Sequence, residues 1–131
     1  MALPLKKTLD TFVLLLTNEA AKAARHGVTR FHKQFSDEDF ETMISEFSSE
    51  ARTIDGSDEF VEFIRDYRSV LGRVLKERPV ECYVTDCSPN WYVNFIYRTR
   101  FEGDSRGERF SWRVRDGRAE LLGFDIFDSG Q

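Results

Sequence analysis

Cysteine, proline and histidine are scarce in this chain, with two, three and two copies among 131 residues. In an extended segment Cys82 and Cys87 would lie roughly 16 Å apart, too far for a disulfide. Both are expected as free thiols, so no cross-linked framework holds the fold. Cys87 stands near a turn, with no His or Lys predictably beside it to activate it, and reads as inert. His26 and His32 are six apart, about 600° around a helix, which puts them on opposite sides and off a common metal. They read as solvent-facing or capping side chains. There is no glycine-rich phosphate loop, no Gly-x-Ser-x-Gly elbow and no His-Glu-x-x-His. Neither a metal nor a cofactor is expected. A net charge of −4 has the wrong sign for a general nucleic-acid binder.

Large apolar side chains are abundant instead: twelve Phe, four Tyr and two Trp can build a purely hydrophobic core. The length suits one α+β domain over 1–131, with 18–72 helical and 80–127 an antiparallel sheet. Residues 1–17 admit two readings. Lys6 and Lys7 ahead of Phe12–Leu16, followed by Ala21-Lys22-Ala23, imitate an export leader, although Asp10 interrupts it. The rival reading is the start of a long first helix, because Leu9, Phe12, Val13, Leu16, Ala20, Ala24, Val28, Phe31 and Phe35 form one stripe. Gly27 weakens that helix and is a point where it could divide. A cytoplasmic location is expected, with export or membrane association through residues 1–20 as the alternative. Membrane contact is confined to that segment.

Ser36 as cap, Asp39 three residues on and the pair Phe35/Phe40 predict a second helix with Phe40, Met43, Ile44, Phe47 and Ala51 inward. Asp55-Gly56-Ser57 reads as a turn into a third helix, whose stripe is Phe60, Phe63, Ile64, Tyr67, Val70 and Leu71, with Gly72 closing it. From Val80 the period becomes two. Asp116-Gly117 is a type I′ hairpin signal that pairs Arg115 with Arg118. It thereby pairs Trp112 with Leu121, Phe110 with Gly123 and Glu108 with Asp125. About four strands are expected, curved around amphipathic helices.

Phe63-Ile64-Arg65-Asp66-Tyr67-Arg68-Ser69-Val70-Leu71-Gly72, Tyr97-Arg98-Thr99-Arg100-Phe101, and Asp116-Gly117 leading to Leu122-Gly123-Phe124-Asp125-Ile126 resemble segments of the nuclear transport factor 2-like (cystatin-like) superfamily. The nearest likeness is the bacterial domain of unknown function catalogued as 4019, over roughly residues 20–127. The resemblance implies a cone-like α+β fold and no assigned activity. Ala119 and Leu121 stand where that family favours Trp and Val.

Three functions are weighed on this scaffold. The first is a non-catalytic interaction domain, homodimeric through an exposed sheet face carrying Leu122, Phe124 and Ile126. The second is a binder of a small apolar ligand between helices and sheet, lined by Phe60, Tyr67, Phe95, Tyr97 and Trp112. The third, an acid/base enzyme, rests on Asp125 with Tyr97 and is the weakest. Arg98, Arg100, Arg109 and Arg113 share the outward parity, as a band for an anion or as edge protection.

Overall fold

A computed structural model describes residues 13, 15, 17–47 and 57–128. The leader reading of the first residues, Ala51 and the turn at Asp55 and Gly56 lie outside the described residues. Among these, the helices α1 (Glu19–Ser36), α2 (Phe40–Ser45) and α3 (Ser57–Leu71) precede the strands β1 (Val74–Cys87), β2 (Asn90–Phe101), β3 (Ser105–Arg115) and β4 (Arg118–Asp128). The strands form one antiparallel meander, β1-β2-β3-β4, giving an α+β fold.

The apolar stripe of the first helix is interrupted at Asn18, whose backbone is extended and whose side chain accepts from the Ala21 N–H at 2.9 Å. An amide at this position satisfies one orphan donor and starts a fresh helix. Beyond it the period holds: Ala20, Ala24, Val28, Phe31 and Phe35 are buried, and α1 touches all four strands. Gly27 does not divide α1. A Cβ there would sit 2.6 Å from Cη2 of Trp112, so the absent side chain lets the helix lie directly on the indole. Gly27→Ala would add about 1 kcal/mol in an unobstructed helix. Here it is expected to lose about 1–3 kcal/mol through overpacking, read by urea unfolding. A gain would mean that helix and indole stand further apart.

Ser36 does not cap the second helix. It ends α1, and its hydroxyl accepts from the Val74 N–H at 3.0 Å, tying the helix to the first strand. Asp39 caps α2 by accepting from the Thr42 N–H, and by Phe47 the chain has already bridged to Leu121. α3 ends as predicted, with Gly72 at φ 82° and its N–H on the Arg68 carbonyl at 2.9 Å. The buried stripe of α3 is narrower than expected. Ile64 and Leu71 are buried and Phe60 and Tyr67 half-buried, whereas Phe63 is 38% and Val70 73% exposed.

The sheet departs from expectation at both edges. β1 begins at Val74 rather than Val80 and passes through Pro79 by a bulge, since Pro79 meets Tyr97 while Glu81 meets Ile96. An edge strand tolerates the missing N–H. The Asp116-Gly117 hairpin has the expected positive φ at both residues, and the predicted pairing holds as far as Trp112↔Leu121. There the register shifts, with Ser111 opposite Gly123, so Leu122 is an extra residue. One inserted residue reverses the parity of everything after it. Phe110 therefore faces Phe124 rather than Gly123, Glu108 faces Ile126, and Asp125 pairs outward with Arg109.

The supposed exposed face of Leu122, Phe124 and Ile126 is thereby dissolved. Ile126 is in the core, Phe124 lies 4.8 Å from the Phe31 ring and 5.1 Å from Phe110, and Leu122 is half-buried at the bulge. Phe110 is the hub, with ring centroids 5.3 Å from Phe31, 5.7 Å from Tyr97 and 6.3 Å from Trp112.

Candidate functional site

The helices and sheet enclose a group of polar side chains in this aromatic interior. His32 follows Val28 by four residues and precedes Phe35 by three, which places it on the buried face of α1. Glu77 comes from β1, opposite Thr99 of β2, and Glu108 from β3, opposite Tyr97. His32, Thr99 and Glu108 are all buried, the most exposed of them at 3%. His32 Nε2 donates to Glu108 Oε1 at 2.7 Å, and the same oxygen accepts from the Thr99 hydroxyl at 2.5 Å. Nδ1 of His32 donates to Glu77 Oε1, while Glu77 Oε2 accepts from the Thr29 hydroxyl at 3.1 Å.

Two carboxylates facing both ring nitrogens select the doubly protonated imidazolium, the only form with two N–H donors. Burial disfavours that charge, but the charge and hydrogen bond of Glu108, then those of Glu77, outweigh it and raise the His32 pKa to about 9. For Glu77, burial pulls upward, yet the hydrogen bond and charge of His32, with Thr29 and Arg25, hold the carboxyl below its ordinary value. This is a saturated ion cluster. His32 has neither ring nitrogen free to take up a proton from a substrate. Among the described residues no group of three or more His, Cys, Asp or Glu side chains is arranged to hold a metal ion.

The pair Asp125 and Tyr97 is not assembled. Asp125 is exposed, on the outer face, 3.6 Å from Arg109. Tyr97 is fully buried, its hydroxyl without a hydrogen-bond partner among the described residues. Burial, then the Glu77 charge, pushes its pKa upward, so it holds its proton. The expectation that His32 faces solvent or caps a helix is likewise corrected, whereas His26 is exposed.

Of the expected ligand-lining residues, Phe95, Tyr97 and Trp112 are packed within the core, with Phe95 and Tyr97 edge to face at 5.3 Å. Phe60 packs 4.8 Å from Phe47. Tyr67 borders a shallow 230 Å³ recess with Val70, Leu71 and Arg106. A larger recess of 620 Å³ lies outside the aromatic cluster, between α1, the end of α2 and the β3–β4 hairpin, and mixes Lys22, His26 and Arg118 with Glu46 and Glu120. Cys82 is buried, its thiol pushed up to about 12 by burial, and Cys87 is exposed; both are free.

No family model matches the sequence, and no curated protein matches it. The structure is similar to that of Bd1075 from Bdellovibrio bacteriovorus, with a TM-score of 0.57 at 8% identity. The similarity covers 85% of this chain and 41% of that one, so this chain spans less than half of the other's length. A likeness at that identity is one of fold. No described helix is long and apolar enough to cross a membrane.

Proposed function

We propose that the chain is a non-catalytic interaction domain on a cone-like scaffold of the nuclear transport factor 2-like (cystatin-like) kind. Helices followed by an antiparallel meander wrapped on α1 support the scaffold. The observation that carries the functional reading is the closure of the His32 cluster. Its groups point at one another, with His32, Thr99 and Glu108 buried and Glu77 half-buried, so they hold α1, β1 and β3 together rather than meeting a substrate. General acid/base catalysis needs a titrating group within hydrogen-bond reach of the substrate, directly or through one water. The recognition surface is then the exterior.

Carbethoxylation by diethyl pyrocarbonate tests the closure, because the chain has only His26 and His32. In the native protein one histidine is expected to react, His26, and His32 only after unfolding, as read by peptide mass spectrometry. Native modification of His32 at a rate comparable to His26 would show an open site and overturn the non-catalytic reading.

A further inference from the structure

The outer face of the sheet divides its cations into two kinds. Arg109 faces Asp125 at 3.6 Å and Arg113 faces Glu120 at 2.9 Å, so on β3 the charges are matched by β4. On β1 and β2 they are not. Arg78 stands directly opposite Arg98, and Lys76 directly opposite Arg100. All four are exposed, and among the described residues no carboxylate lies within ion-pair distance of any of them. Like charges directly opposite one another in a sheet are destabilising. Adjacent strands lie about 4.8 Å apart and alternate residues about 6.7 Å apart, so these side chains form one compact rectangle of positive charge.

Apolar groups border the rectangle. Leu75, beside Lys76 in sequence, is 59% exposed. On the other side Gly107, opposite Arg98, has no side chain, and the Phe127 ring occupies that place: a Cβ on Gly107 would lie 2.3 Å from it. Arginine beside aromatic and aliphatic groups is the composition of a protein-binding patch. A single-stranded nucleic acid fits less well. The chain is acidic overall, Tyr92, on the same face of β2, is six residues from Arg98, roughly 20 Å along the strand, and the Phe127 ring is already covered by the Arg109 guanidinium, 5.5 Å from its centroid.

We infer that Lys76, Arg78, Arg98 and Arg100 are a docking site for an acidic segment of another protein, one that sets carboxylates against the rectangle and an apolar side chain against Leu75 or Phe127. This deepens the interaction-domain reading and rests on it. The partner's carboxylates would supply the counter-charge that the described residues of this chain provide on β3 but not on β1 and β2. An isologous self-association would instead set arginine against arginine.

The test uses the full chain and a fluorescein-labelled peptide of about twelve residues repeating Glu-Glu-Leu, with a Lys-Lys-Leu peptide and an oligothymidylate of equal length beside it. Anisotropy at about 50 and 300 mM salt should show the acidic peptide binding, more weakly at the higher salt, and the basic peptide not at all. Arg98→Glu is expected to weaken binding about tenfold or more while the melting temperature stays level or rises, since the new carboxylate faces Arg78. Arg115→Glu, which faces Arg118 at the hairpin, changes net charge equally and should alter affinity by less than about twofold.

Failure of the acidic peptide to bind at low salt would overturn the inference. So would equal loss in the two variants, or tighter binding of the oligothymidylate with the same sensitivity to Arg98→Glu. None of these results bears on the closed interior, which the carbethoxylation of His32 reads separately.

Discussion

Replacing His32 by leucine is expected to destabilise the protein by about 3–5 kcal/mol, because it leaves Glu108 and Glu77 facing an apolar side chain with no cation between them. Glu108 is the worse placed, at 2% exposure. Urea unfolding at neutral pH measures the loss, and His32→Leu combined with Glu108→Met should recover part of it, since removing both charges is far cheaper than stranding one.

The same variant separates the pH dependence. His32 binds its proton more tightly in the folded chain, about 9 against 6.5. Its contribution is therefore fully present below about pH 6.5 and is lost as pH rises through about 9. That difference corresponds to about 3 kcal/mol. Glu77 acts in the opposite direction: its lowered pKa gives stability that is present above 4.5 and is lost as pH falls through its folded value. Wild-type protein should weaken between about pH 6.5 and 9, and His32→Leu should lack that alkaline decline. A parallel decline in both would place the titration elsewhere.

Trp112→Ala is the second large effect, expected to cost about 3–5 kcal/mol. The indole is 3% exposed, lies nearly parallel to Phe110 at 17° and fills the space beneath Gly27. Its Nε1 has no hydrogen-bond partner among the described residues, so part of the favourable packing offsets a stranded donor. Trp112→Phe keeps much of the ring and removes that donor, and should cost less than about 1.5 kcal/mol. Thermal unfolding of the two variants reads the contrast. Equal losses would mean that Nε1 is bonded, and negligible losses that the ring is not in the core.

The core was legible where side-chain period and turn chemistry agree. Trp112 and Phe110 turn inward, Gly72 ends α3 and Asp116-Gly117 makes the hairpin, each from a local pattern that packing reinforces. The inward turn of Phe124 and Ile126 was also written in the sequence. The apolar phase runs Ala119, Leu121 and then Phe124, Ile126, and a change from odd to even within one strand is itself the signature of an extra residue beside Gly123. Without that extra residue the hairpin register would turn Phe124 and Ile126 to the outer face.

The polar centre was harder to see, because each member looked like surface. Lys76-Glu77-Arg78-Pro79 reads as a charged exit from a helix, yet it lies in β1, and Glu108, set opposite Asp125 by the hairpin register, reads as a position near the open end of the sheet, yet it faces Ile126 and is buried. Strand alternation sends Glu77 and Glu108 inward and their basic neighbours outward. His32 alone carried a usable signal, since it falls within the Val28, Phe31, Phe35 stripe of α1. A lone ionisable residue on an apolar face demands a partner, and two carboxylates supply it here.

Nuclear magnetic resonance of the His32 ring tests the central claim most directly: a charged imidazolium clasped by Glu77 and Glu108 inside a closed core. Both ring nitrogens should report bound, exchange-protected protons at about pH 7.5, with titration only near 9. A ring that is neutral at that pH, titrates at or below about 6.5, or exchanges its protons as freely as His26 would contradict the claim.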